Sequence, residues 1–200
     1  VAMAVSPNDT VMVVMSDGSV WRKPPLSDTY ESIYTSVPLG RDDAQGVWYL
    51  HGRFIMSAFD DVTSAQLWEL VWDETDWVPD VAFDTAASPF WSVVESGPAI
   101  VSAGGDGTVR TYTPDNEGGS GSFALTPRAR TTMPHGEAPL LLGSNAGVLL
   151  IMSTADVGIT DRQEVRIYRA EVLDARFDYV VGQMQLIREH FATEHEGDVN

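Results

Sequence analysis

The chain has 200 residues, enough for one full-sized domain or two small ones, and its 44% apolar fraction excludes a disordered polymer. Twenty-nine acidic residues against 12 basic ones give a net charge of −17, which disfavours phosphate backbones as partners. The absence of cysteine excludes disulfides, thiolate metal sites and cysteine nucleophiles.

The chain opens on Val1, directly in an apolar segment and with no signal-peptide pattern, as a processed product or one piece of a longer polypeptide would. The first unit runs "AMAV" (2–5), a turn "SPND" (6–9), "VVMS" (13–16), a tight "DG" turn, "SVW" (19–21) and "ESIYTSV" (31–37). The second runs "VWYL" (47–50), "HG" (51–52), "FIMS" (54–57), a longer connection, "QLWEL" (66–70) and "WVPDVAF" (77–83). The third runs "WSVV" (91–94), "ESGP" (95–98), "AIVS" (99–102), "GGDG" (104–107), "TVRTY" (108–112) and "SFALTPRA" (122–129). The fourth runs "PLLL" (139–142), "GSNAG" (143–147), "LIMS" (150–153), a long insertion, "EVRIY" (164–168) and "DYVVGQMQLI" (178–187). Its longest apolar run, "GVLLIM" (147–152), is too short to span a bilayer.

Each unit reads strand, turn, strand, turn, strand, loop, strand, because Gly and Asn tolerate the positive φ of tight turns. Ser16, Ser57, Ser102 and Ser153 end the second strand of each unit, at steps of 41, 45 and 51 residues. That period is the length of a β-propeller blade. The first two strands of a unit are nearly continuous apolar runs, as strands packed on both faces should be. The outer two alternate, with Val109 and Thr111 on one face and Arg110 and Tyr112 on the other, and are expected to meet water. A sandwich or closed barrel also takes short, regularly spaced strands, but neither requires this strand-by-strand echo. The expectation is an all-β propeller of about four blades, 1–40, 45–84, 88–131 and 138–188, within a domain 1–190. The blades form a closed ring or part of a larger one, and residues 191–200 form an acidic tail. Residues 183–195 also fit a helical face, but Met184 and Leu186 alternate as a final strand would.

"PAIVSAGGDGTVRTYTPD" (98–115) resembles the second hairpin of the WD40 family, and "VVMSDGSVWR" (13–22) has the same shape. The family's Gly-His pair and Trp-Asp ending are missing. The resemblance implies a scaffold for binding partners and carries no catalytic residue across.

"SDGSVW" (16–21) has the residue types of a sialidase Asp box at the wrong spacing, so Asp17-Gly18, like Asp106-Gly107, reads as a turn tip. His51, His135, His190 and His195 lack the spacing of a helix-borne zinc pair, and His135 beside Glu137 is the one suggestive neighbour. "GGSGS" (118–122) and "GSNAG" miss the nucleophile elbow, and "GGDG" is no phosphate loop. The acidic runs 73–80 and 115–118 do not match a calcium loop. Trp48, Trp68 and Trp91 fall where blades pack, whereas Trp77 beside acidic residues keeps carbohydrate open as a partner. No catalytic, cofactor-binding or metal-binding residue is assigned.

The reading is a non-enzymatic assembly module binding other proteins, with no nucleic acid and no membrane insertion. Its concrete version is a virion component, phage tail or fibre-associated, and so extracellular or virion rather than cytoplasmic. The alternatives are an intracellular WD40-like adaptor, a glycan-acting hydrolase with two carboxylates across a central channel, and a sensor for an ion or small ligand.

Overall fold

The computed structural model describes residues 2–15, 17, 19–34, 43–60, 64–72, 77–86, 88–114, 125–156, 163–174 and 179–191. The first unit folds as β1 (Ala2–Val5), β2 (Val11–Val14), β3 (Val20–Lys23) and β4 (Glu31–Tyr34). The second gives β5 (Asp43–Leu50), β6 (Arg53–Asp60), β7 (Ser64–Trp72) and β8 (Trp77–Ala86). The third gives β9 (Phe90–Ser96), β10 (Ala99–Gly104), β11 (Thr108–Pro114) and β12 (Leu125–Thr132). In the fourth, β13 (Ala138–Asn145), β14 (Val148–Asp156) and β15 (Gln163–Leu173) precede β16 (Val180–Val181) and β17 (Gln185–Phe191).

Every unit is its own antiparallel meander with strand order following the chain. The last one divides its outer edge. β16 pairs with Val172 and Leu173, while β17 pairs with the earlier part of β15, setting Leu186 against Tyr168. That pairing makes 185–191 a strand and not a helix. Two hairpins have two-residue tips that need positive φ at both positions. His51 and Gly52 sit at φ 48° and 79°, Ala146 and Gly147 at 48° and 81°. This type I′ geometry matches the right-handed twist of the strands it joins.

The four sheets pack face to face in chain order, β1 on β5, β5 on β9 and β9 on β13. Three apolar layers result. Met12, Val14 and Val20 of the first sheet bury against Phe54, Met56 and Trp68 of the second. The other face of the second, through Ile55 and Leu67, meets Phe90, Ile100 and Tyr112 of the third. The third then presents Val101, Ala103 and Val109 to Leu149, Ile151 and Tyr168 of the fourth. Each fully buried side chain of this size stabilises by about 1.5–3 kcal/mol, so the layers dominate the fold. Three four-stranded antiparallel blades and a fourth whose outer edge is shared by β16 and β17, stacked in sequence, give the expected propeller build.

Two local expectations change. In the third unit the third strand does not meet water: Arg110, Thr111 and Tyr112 are all buried, and of its two outer strands it is β12 that carries exposed residues. Arg110 stays inside because Asp84 and Asp106 meet its charge. Trp91 is not an inter-blade residue but is 48% exposed. The register of β9 against β10 slips between Phe90 and Ser92, which turns the intervening ring outward.

Candidate functional site

The recurring serine has a structural partner set. In the third sheet, Ser102 Oγ lies 2.8 Å from the Tyr112 hydroxyl. That hydroxyl donates to Asp84 Oδ2 at 2.7 Å. Arg110 pairs with the same carboxylate oxygen at 3.5 Å and with Asp106, and its guanidinium lies 5.1 Å over the Phe90 ring. Arg130 reaches Asp84 Oδ1 at 3.1 Å from the solvent side.

The fourth sheet repeats the arrangement. Ser153 donates to Glu137, Tyr168 donates to Glu137 Oε1 at 2.8 Å, and Arg166 also binds Glu137. The Arg166 guanidinium is bidentate on Glu164, at 3.0 and 2.8 Å. In both sheets the serine comes from the second strand and Arg-x-Tyr from the third. The carboxylate comes from the chain just before the first. The repeated "VR-x-Y" of 109–112 and 165–168 is the sequence signal for this cluster. Asp84 and Glu137 were not legible as partners because each comes from outside the unit whose Arg-x-Tyr it meets or from the chain ahead of that unit's first strand.

The electrostatics are those of tethers. Burial, then the charge of Asp84, holds the Tyr112 phenol well above its ordinary range. Burial and the bond to Glu137 push Tyr168 up to about 12. Burial alone would raise Glu137, but the hydrogen bonds from Ser153, Arg166 and Tyr168 outweigh it and hold the carboxyl below the usual value. A glycosidase acid needs the opposite shift.

The residues singled out by sequence fall apart as a site. His135 is exposed at φ 56°, whereas Glu137 turns inward, so the two form no pair. His51 is an exposed tip whose amide donates to Glu95. Asp17 and Asp106 are the turn tips expected. Asp17 accepts from the Ser19 amide at 3.0 Å and hydroxyl at 2.6 Å, which lowers its carboxyl. Asp106 accepts from the Thr108 hydroxyl at 2.7 Å. Trp68 is buried and Trp48 half-buried between blades. His195, the acidic runs 73–76 and 115–118, and the side chains of His190 and Trp77 lie outside the described residues. Among the described residues no group of three or more His, Asp or Glu side chains converges as metal ligands, and no helix is long and apolar enough to cross a membrane.

What the two end sheets show to the outside is different. The face of the first sheet turned away from the second carries cross-strand rows Met3–Val13–Trp21 and Val5–Val11–Lys23. Met3 is 64% exposed, Val5 is exposed, and the rest are half-buried. On the fourth sheet, the face turned away from the third carries Leu141–Met152–Ile167 and Gly143–Leu150–Arg169. Leu141 is 54% exposed and Leu150 is exposed too. Both faces are largely apolar, with Lys23 on one and Arg169 on the other, and among the described residues neither packs against another sheet. Among the described residues no cluster of buried apolar side chains joins the fourth sheet to the first.

No protein-family model matches the chain, and no curated protein matches it by sequence. Solved structures do. The computationally designed Ika4 protein aligns with TM-score 0.52 at 16% identity over 83% of this chain and 88% of its own. The β-propeller domain of Myceliophteria thermophila Cps50 (Swd1) aligns with TM-score 0.50 at 10% identity, over 94% of this chain and 72% of its own. Saccharomyces cerevisiae Sqt1 aligns with TM-score 0.53 at 7% identity, over 94% and 62%. Two further solved chains are covered over only 60% and 46% of their length. The neighbours include WD40 β-propeller proteins, and at these identities the likeness speaks for the fold.

Proposed function

We propose that this chain is a β-propeller interaction scaffold whose protein partners dock on its uncovered end sheets, with a further blade-like β-sheet as the complementary surface. The observation that carries this reading is the pair of apolar outer faces, Met3–Val13–Trp21 on one end and Leu141–Met152–Ile167 on the other. Contiguous apolar surface of this kind marks association sites. The buried acids support it from the other side. Asp84, Glu137 and Glu164 are spent on tethering strands, and Glu137 is shifted away from acid catalysis.

A structural module of a virion and a WD40-like adaptor are two versions of this scaffold. The propeller neighbours are equally consistent with both, and the acidic composition suits either. Methionine footprinting of the native particle tests the scaffold. Met3 and Met152 should be protected there and oxidise readily in the isolated, dilute chain, whereas buried Met12 and Met56 stay protected in both. Equal oxidation of Met3 in both preparations overturns the reading.

A further inference from the structure

The two uncovered faces are not independent. Within the chain, each sheet turns one face to the sheet before it and the other to the sheet after it, and like strands lie side by side. Among the described residues no sheet packs on the backward face of the first sheet or on the forward face of the fourth. Bringing these two together makes a junction of the same kind as the three already filled.

The side chains at that junction match. Near the turn that joins the first two strands of each sheet, the first sheet ends in the row Val5–Val11–Lys23. At the same level the fourth sheet has Asn145–Val148–Glu171. Lys23 is the one lysine of the chain and stands on β3, the third strand of the first sheet; Glu171 stands at the matching level of β15, the third strand of the fourth. Glu171 is exposed, with a loose contact of 3.7 Å to Arg169. One row further, Met3–Val13–Trp21 faces Gly143–Leu150–Arg169. A Cβ at Gly143 would meet nothing within 4 Å, so the long Met3 side chain finds room, and Trp21 offers its ring to the Arg169 cation. At that junction Val11 would meet Val148 and Val13 would meet Leu150, with Lys23 against Glu171.

Resting on the scaffold reading, we propose that a second copy of this chain is the occupant. The first sheet of each copy packs on the fourth sheet of the other, and two copies close one propeller ring. Head-to-tail surfaces either close or grow into filaments. Two copies close a ring when each spans half of it. This chain spans 46–72% of four of the solved chains to which it aligns and 88% of the designed Ika4 protein.

Light scattering with size exclusion on the native full chain reads the answer. At about 100 μM, far above a micromolar Kd, the expected mass is twice that of the chain. Lys23→Glu and Glu171→Lys should each weaken the dimer about tenfold. The double variant K23E/E171K should recover most of that loss, which a folding defect would not do. Val13→Glu and Leu150→Glu should each give monomers. Mixed together, those two should form a dimer again through the one unaltered junction. A monomer at that concentration overturns the proposal, as does a mass that grows without limit or a native chain that carries further blades in the same polypeptide. So does a failure of the charge swap to restore association. If Met3 is nevertheless protected in a native particle containing a different chain, the second copy is refuted while the scaffold stands.

Discussion

Tyr112 and Asp84 join two blades: the phenol of the third sheet donates to a carboxylate on β8 of the second at 2.7 Å, out of solvent. Tyr112→Phe keeps the ring that packs edge-on against Phe83, 5.2 Å between centroids, and removes only the hydroxyl. Ser102 loses its partner, and among the described residues Asp84 keeps the Thr85 amide and Arg130 as hydrogen-bond donors. The expected loss is about 1–3 kcal/mol, the cost of leaving buried polar groups unmade. Asp84→Ala is expected to cost more, about 3–5 kcal/mol, because Arg110 then sits buried with Asp106 as its remaining anion. Urea denaturation checks both, and equal losses would contradict the central place of Asp84.

The echoing serines are not equivalent. Ser102 and Ser153 are tied into the clusters, whereas Ser57 is buried with its hydroxyl unbonded among the described residues. Opposite it, Leu67 stands where the later sheets have Arg110 and Arg166. Ser57→Ala should be neutral or slightly stabilising. Ser102→Ala and Ser153→Ala should each cost about 1–2 kcal/mol. A thermal-melt series of the three variants decides, and a destabilised Ser57→Ala would show a partner outside the described residues.

Alkali should attack the fourth sheet. The Tyr168 phenol is raised from the ordinary 10 to about 12 in the folded state, so the fold binds the proton more tightly than the unfolded chain does. The stabilisation is complete below pH 10 and is lost as pH rises towards 12, on the order of 2–3 kcal/mol. Glu137 has the opposite sign: its folded value is lowered from 4.5, so its contribution is present above that and is lost on acidification. Stability measured from pH 9 to 12 should fall less steeply in Tyr168→Phe than in the parent. An unchanged slope would remove Tyr168 as the cause.

Strand positions were largely legible where apolar runs and turn formers alternate, but "DYVVGQMQLI" reads as one strand and forms two, β16 and β17, and "GSNAG" reads as a turn although β13 runs to Asn145. "AMAV" is β1 residue for residue, and "HG" sits at the two-residue tip that only positive φ allows. The clusters were hidden for a physical reason. Arg110 and Arg166 look solvent-facing in an alternating strand, and the carboxylates that meet their charge, Asp84 and Asp106 for one and Glu137 and Glu164 for the other, do not recur at one position of the unit. Trp91 misled in the opposite direction, since a one-residue slip in pairing turns a side chain to the other face. The uncovered end faces were not legible either. Met3 and Met12 look alike in sequence, and only the stacking order of the sheets shows that one is exposed and the other buried.

Gly107 links the turn tip to the second cluster. It sits at φ 75°, and its carbonyl accepts the Met133 amide at 2.8 Å. A Cβ there would lie 3.2 Å from the Glu137 carbonyl oxygen, at the base of the carboxylate that Ser153 and Tyr168 hold. Gly107→Ala therefore carries two costs, the left-handed backbone at about 1 kcal/mol and the displacement of Glu137. Gly97 shares the conformation, at φ 60°, but a Cβ there meets nothing within 4 Å. Gly97→Ala should lose about 1 kcal/mol, and Gly107→Ala clearly more, with part of its loss abolished in a Tyr168→Phe background as the cluster is already weakened. Chemical denaturation of the two alanine variants and the double variant reads this directly. Equal losses at Gly97 and Gly107 would mean that the Glu137 backbone yields without strain and that the turn and the cluster are uncoupled.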